Sequence, residues 1–305
     1  MGGIIAFYGA NLYVAAIQPC QNASIADISQ QKDVVARYDD TADSFDSEVG
    51  FSEWLMGINK TRKQLAHMCH GHVLEVSCGT GRNLGYYDYS EGGCVDSLTF
   101  VDISPQMIEV CKKKWIALFQ RTHASSSRFG GGGVKHGMSI RFLPASALGP
   151  MPLAPTEPPR KYDTIIQTMG LCSTTSPVEL LENMVKYLDT SNPESKILLL
   201  EHGRSYQEWL NRILDNSAEK HAEIHGCWFN RDIGALVADA AAKTGLEVVR
   251  EKRRHFGTTW LFELRPKPSP IQKTSTLQVQ SEQLEEEHQQ PAKRWFGFSD
   301  RSDKD

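Results

Sequence analysis

The stretch HVLEVSCGTGRN, residues 72–83, gathers an acid, two hydroxyls, a thiol and two glycines in Glu75, Ser77, Cys78, Gly79, Thr80 and Gly81. An apolar strand followed by a glycine turn lets backbone N–H groups come close to a ligand. A second acid, Asp102, ends the apolar run LTFVD at 98–102. Ionised, it only accepts hydrogen bonds, so its two oxygens can take both hydroxyls of a ribose. Three ligand classes use such a turn: a phosphate, a dinucleotide and S-adenosylmethionine. The phosphate loop G-x-x-x-x-G-K-[ST] needs a lysine, and none follows Gly81. A dinucleotide turn needs a third glycine where this chain has Leu84. S-adenosylmethionine carries no phosphate, tolerates a shorter turn, and presents an amino-acid end and a ribose. On that reading Glu75 accepts from the ammonium or organises the turn, and the N–H groups of Cys78–Gly81, with Ser77, Thr80 and Asn83 in the same turn, line the methionine portion. Asp102 specifies a ribose and not which cofactor carries it.

The elements that must hold these groups follow from pattern. The chain has 305 residues, 40% hydrophobic and 23% charged, enough for one large soluble domain with tails. A net charge of −4 lacks the basic stripe of a nucleic-acid binder, so no nucleic-acid partner is expected. Seven cysteines with no Cys-x-x-Cys pair argue for reduced thiols rather than a disulfide framework or zinc ribbon. Helical spacing is predicted over 28–70, closed by Gly71, and over 82–89. Strands are predicted at 73–77, 98–102, 139–145, 162–168 and 196–202. Ser104–Pro105 is a helix start, serine as N-cap and proline at the first position. Further helices are expected at 177–188, 205–223 and 231–244. A strand pair at 246–254 and 258–266 is joined through Phe256–Gly257. Strand–helix alternation implies a mostly parallel sheet with helices on both faces and the ligand at the carboxyl ends of the strands. A Ser/Gly-rich insertion is read at 122–138 and a disordered tail at 267–305, whose RWFGF cluster is a candidate docking element.

Three later stretches fit the same ligand. VDISPQMIEVCKKK (101–114), LPASAL (143–148) and YDTIIQTMGLCS (162–173), with the glycine turn, resemble in order the motifs of the class I S-adenosylmethionine-dependent methyltransferases. The resemblance implies an α/β, Rossmann-like seven-stranded sheet, mostly parallel with one antiparallel strand, over 28–266. It implies that Ile103 and Met107 flank the adenine, with Ser104 between them. Ala145, Ser146 and Ala147 meet the adenine edge, and Gln167, Thr168, Met169 and Gly170 lie beside the cofactor facing substrate. Residues 37–87 also resemble the fungal mitochondrial methyltransferase family associated with suppression of inner-membrane insertase defects. GLCS, LLLEHGRS and GCWFNRD resemble the membrane-associated thiol methyltransferases, and more distantly the ubiquinone and menaquinone C-methyltransferases. The likeness to the fungal family implies a mitochondrial inner-membrane location with a single-pass anchor; the alternative is a cytoplasmic location. The candidate anchor is the uncharged run 2–20, against which stand a buried or frayed segment and the lack of a basic presequence. Tyr38, in the helical region before the sheet, is expected to touch the methyl donor.

Methyl transfer needs positioning first, and a base only if the acceptor loses a proton. Glu201–His202 ends the fifth strand. His202 is the candidate base, with Glu201 as its orienter or as a substrate contact; the alternative is that His202 caps the strand end. Cys172 lies at the substrate or is a packed thiol. His225 and Arg231 border an aromatic turn, Trp228–Phe229, that is a candidate cover for the pocket; Arg231, at a helix start, has a structural role as its alternative. His67, Cys69, His70 and His72 straddle a helix end and a strand start and should diverge, so no metal site is expected. Lys112–Lys114 reads as a solvated helix face. Two functions follow: a methyltransferase acting on a small, apolar acceptor such as a quinone precursor or a thiol, or a methyltransferase-fold factor in membrane-protein assembly.

Overall fold

The structure, a computed structural model, describes residues 14, 17–20, 23–125 and 134–267. Most of the 2–20 run and the tail beyond residue 267, with RWFGF, therefore lie outside the described residues.

Seven strands form one sheet in the order β3-β2-β1-β4-β5-β7-β6. They are β1 Gly71–Val76, β2 Val95–Asp102, β3 Ser139–Pro144, β4 Thr164–Thr168, β5 Lys196–His202, β6 Leu246–Arg254 and β7 Thr259–Pro266. β7 runs antiparallel between β5 and β6, and the other neighbours are parallel. Strand order reverses between β1 and β4, which opens a crevice at their carboxyl ends. The helices are α1 Ala36–Thr41, α2 Phe45–Leu55, α3 Ile58–Ala66, α4 Pro105–Ser125, α5 Pro177–Tyr187, α6 Glu208–His225 and α7 Ile233–Thr244.

The central strands are apolar on both faces because both are covered. Leu74, Val76 and Ile165 pack with Leu181 and Met184 of α5 and Val237 of α7. Val73, Phe100 and Ile166 pack with Leu65 of α3 and Ile108 of α4 on the other face. Each fully buried aliphatic side chain contributes about 1.5–3 kcal/mol, so the sheet is a rigid platform for what its strand ends carry. A third cluster, Ile25, Ala218, Ala222 and Trp228, fixes α6 to residues preceding α1.

Several expected elements differ. The 28–70 region is three helices, with Gly57 in a left-handed conformation separating α2 from α3. Residues 82–89 form only one 3-10 turn, Leu84–Tyr86. α4 continues through Ser125, and the far end of the expected insertion is fixed by Lys135 N–H to Tyr89 O at 2.7 Å and Lys135 Nζ to Asp96 at 2.7 Å. No helix among the described residues is long and apolar enough to cross a membrane.

Candidate active site

The glycine turn is organised by the acid on the neighbouring strand. Gly79 N–H donates to Asp102 Oδ2 at 2.8 Å, and Ser104 N–H to Asp102 Oδ1 at 3.0 Å. Each oxygen keeps further acceptor capacity. Burial raises the Asp102 carboxyl, the Asp39 charge adds to the rise, and the two N–H groups oppose it. Ser104 Oγ accepts Met107 N–H at 3.1 Å, as an N-cap should, and donates to Asp39 at 2.5 Å. The two glycines do different work. Gly79, at φ +53°, has open space where a Cβ would stand, whereas a Cβ on Gly81, at φ +75°, would lie 2.6 Å from Cys111 Sγ and Leu84 Cδ1.

Glu75 faces inward. Its carboxylate accepts from Asn83 Nδ2 at 3.0 Å and Tyr87 OH at 2.5 Å. Burial pushes it up to about 7, with Tyr87, Arg62 and Asn83 pulling it down. Of its two expected roles, the structure places it in organising the turn.

Behind the turn lies a charged network that the sequence reading missed. Arg62 of α3, buried, donates to Glu53 at 2.9 and 3.1 Å, to Asn83 Oδ1 at 3.2 Å and to Thr168 Oγ1 at 2.7 Å. Arg82 bonds the same Glu53 at 2.7 Å and Asp46 at 3.2 Å, and Thr80 Oγ1 donates to Asp46 at 2.6 Å. Lys114 also pairs with Asp46, so it is not on a freely solvated face. Burial would raise Glu53, but Arg62 and Arg82 outweigh it and hold the carboxyl below its ordinary value. These contacts tie α2 and α3 to the glycine turn and to the end of β4.

The loop after β4 is held by Glu201, whose oxygens accept Gly170 N–H and Leu171 N–H at 3.1 Å each. Its hydrogen bonds go to this loop, so Glu201 shapes residues 169–172 rather than serving as the orienter of the His202 ring. Burial raises Glu201 well above the ordinary carboxylate range. Gln167 Nε2 donates to Ser77 Oγ at 3.1 Å, and its Oε1 is buried without a partner. The Cys172 thiol meets Cys227, which holds Cys172 below and is itself held above the ordinary thiol value. His202 Nδ1 lies 4.0 Å from Cys227 Sγ. Burial pushes His202 down to about 4, against the pull of Glu53. Tyr38 OH donates to Gly226 O at 2.8 Å and is 2.6 Å from Ser173 Oγ, stitching α1 over the opening. Arg231 is a buried clamp on Gln31, Leu171 O and Thr174 O.

One cavity of about 930 Å³ runs from the turn to this far end, walled by Gly79 and Asp102 at one side and by Cys172 and His202 at the other. Residues 55–251 match the family model described as a methyltransferase domain. The chain belongs to the methyltransferase domain family. Its methyl donor is S-adenosylmethionine. The "Methyltransferase OMS1, mitochondrial" of Saccharomyces cerevisiae is 36% identical over 256 residues, covering 81% of this chain and 49% of that protein. The chain thus spans about half the length of that curated relative. Among solved structures, a chain of the complex between the Haloferax volcanii Trm112 methyltransferase activator and a methyltransferase aligns with a TM-score of 0.52 at 14% identity, over 78% of this chain and 100% of that one. It supports the fold alone.

The residues of this methyltransferase fit its cofactor. Gly79 leaves a cradle that a side chain would fill, and Asp102 offers two oxygens beside it. Ser77, Cys78, Thr80, Ile103, Met107, Ser146, Ala147, Thr168, Met169 and Tyr38 also face the cavity. Glu75, Gly81, Asn83, Ser104, Ala145, Gln167 and Glu201 do not; among them Glu75, Asn83, Ser104 and Glu201 support the wall through the bonds above. Phe229, His221 and His225 line the far end, with His221 stacked on Phe229 at 4.0 Å between centroids. Trp228 is instead buried, bonded through Nε1 to Lys32 O at 3.0 Å. His70 and His72 turn to different partners, Thr164 and Ser97. His221, on α6, and Cys227, just beyond that helix's end at Gly226, carried no local signal, since both reach the site from a distance in sequence.

Proposed function

We propose that the chain transfers a methyl group to a small, uncharged, apolar acceptor bearing an O–H or S–H, such as a quinone precursor or a thiol. The observation that carries this reading is the continuity of the cavity. Its turn end offers the Gly79 cradle and the Asp102 oxygens. Its far end is walled by Leu210, Leu214 and Phe229 around His202. When bound, S-adenosylmethionine supplies an electrophilic methyl on a sulfonium and leaves as a neutral thioether. Asp102 would hold the ribose, and the N–H groups and open face of the turn the amino-acid portion. Depressed to about 4, His202 is neutral at pH 7 and has a free lone pair to take the acceptor's proton. The cavity then loses the sulfonium charge as it gains an imidazolium, so its total charge stays constant through the step. That balance makes a buried, weakly basic histidine workable as the base. Glu201 and Arg231 fix the loop carrying Cys172, which sets the wall the acceptor meets.

In the same reading the protein is mitochondrial, as its yeast relative's name states for that protein, and 2–20 anchors it in the inner membrane. Carbonate-resistant membrane association lost on deleting 1–26 tests the anchor. For the chemistry, the purified chain is incubated with methyl-deuterated S-adenosylmethionine and a lipid extract from a strain lacking the gene. Label appearing in one apolar product with wild type, and not with Asp102→Ala, supports transfer. No labelled product from any extract, with the donor bound, refutes it.

A further inference from the structure

Helix α2 presents one face to the cavity and a second, apolar stripe elsewhere. Val49, Ser52 and Glu53, with Met56 just past its end, face the cavity at helical spacing. Phe51, Trp54 and Leu55, on another stripe, are 71%, 66% and 69% exposed. A surface helix ordinarily sets charged and polar residues opposite its buried stripe. A second shoulder comes from the β6–β7 hairpin. His255 and Phe256 hold left-handed backbones, φ 52° and 55°, a conformation that histidine tolerates and that a bulky residue such as phenylalanine adopts reluctantly. The turn leaves Phe256 66% exposed while it still borders the cavity. Tyr206, also exposed, packs beside Gly257 of the same hairpin. The shoulders are joined, because Arg254 Nη1 donates to Thr61 Oγ1 of α3 at 2.9 Å, and Met56, Ile58, His255 and Phe256 share one cavity wall. Phe51, Trp54 and Leu55 thus stand exposed on the helix whose other face walls the cavity, and with Phe256 they form an exposed apolar rim beside that wall.

The charge around this rim is of one sign on α3. Its sequence, INKTRKQLA, contains no acid, and Lys60 and Lys63 are exposed and in no ion pair described. At a bilayer, Trp and Tyr settle at headgroup depth, Phe and Leu go deeper, and lysines meet anionic headgroups. We infer that this rim docks on an anionic bilayer surface, so that the cavity opens onto lipid. The inference concerns a face of the folded domain and is separate from an anchor at 2–20.

The test is co-sedimentation of the full chain with phosphatidylcholine vesicles, with and without phosphatidylglycerol. It compares wild type, a Phe51→Ser/Trp54→Ser/Leu55→Ser variant and a Lys60→Glu/Lys63→Glu variant. Expected are preference for the anionic vesicles, a loss on the order of tenfold or more in the triple variant, and loss of the preference in the lysine variant. These side chains lie outside the cavity wall, so S-adenosylmethionine affinity should persist and report that the fold is kept. Hydrogen exchange on wild type needs no variant, and residues 45–60 and 253–258 should slow on adding anionic vesicles. Equal vesicle binding by the triple variant and wild type overturns the inference, as does protection confined to residues 1–22. So does self-association lost in the triple variant without vesicle binding, which would make the rim a contact between copies. A chain that binds vesicles but not S-adenosylmethionine would instead contradict the proposed function and leave the docking face standing.

Discussion

Gly79 and Gly81 sit two positions apart in one turn, both with left-handed backbones, yet their alanine variants should fail in different assays. For Gly81→Ala the new Cβ would stand 2.6 Å from both Cys111 Sγ and Leu84 Cδ1. Both neighbours are buried and have nowhere to move. Left-handed strain of about 1–2 kcal/mol and overpacking of about 1–3 kcal/mol sum to roughly 2–5 kcal/mol of lost stability. For a domain of this size that lowers Tm by roughly 5–15 °C. For Gly79→Ala only the strain applies, since nothing lies within 4 Å of the new Cβ. Its methyl instead projects into the cavity where the donor binds, and S-adenosylmethionine affinity should drop about tenfold or more. Thermal unfolding and calorimetric titration of both variants read the two effects separately. A Gly79→Ala variant that binds the donor like wild type, or a Gly81→Ala variant with an unchanged Tm, would refute the division of labour assigned to the turn.

Glu75→Gln should change how stability depends on pH. The wild-type carboxyl titrates near 7 when folded and 4.5 when unfolded, so its stabilising contribution is complete below about 4.5 and is lost as pH rises through 7. The variant lacks this loss, and its stability relative to wild type should improve by about 3 kcal/mol between pH 4.5 and 7.5 in urea unfolding; a flat difference would remove Glu75 as the titrating group. Arg62→Ala leaves Glu53 with Arg82 alone and strips a donor from Asn83 and Thr168, which should cost about 3–5 kcal/mol of stability, read as a lower urea midpoint, and an unchanged midpoint contradicts the network's role. His202→Ala should lower the rate of label transfer by about 10²–10⁴ with donor affinity kept, and full turnover would exclude it as base.

The sheet was legible because its strands are apolar runs bounded by turn residues, and the glycine turn because backbone conformation restricts residue type. Ser104 was legible for the same reason, as a local cap with proline beside it. Glu75 could be read as an acid at a strand end, but its direction depends on Tyr87 and Asn83 folding back over it. Glu201 was read as an orienter of its chain neighbour, but successive strand residues point to opposite faces. The Arg62–Glu53–Arg82–Asp46 network was invisible because charged residues on amphipathic helices ordinarily face water. It is set by how α2 and α3 pack against the end of β4, and no local pattern encodes that. The cavity's far end draws on residues far apart in the chain, such as Cys172 and Cys227, 55 positions from each other.

The most direct test of the account is a calorimetric titration of S-adenosylmethionine into the wild-type chain and into Asp102→Ala. Asp102 would hold the ribose through charge-assisted hydrogen bonds worth about 1.5–3 kcal/mol each. The account predicts one saturable site in wild type and at least about tenfold weaker binding in the variant, measured where both are folded, since Asp102 also holds Gly79 N–H and Ser104 N–H. Absence of saturable binding to the folded wild type, or equal affinity in Asp102→Ala, would contradict it.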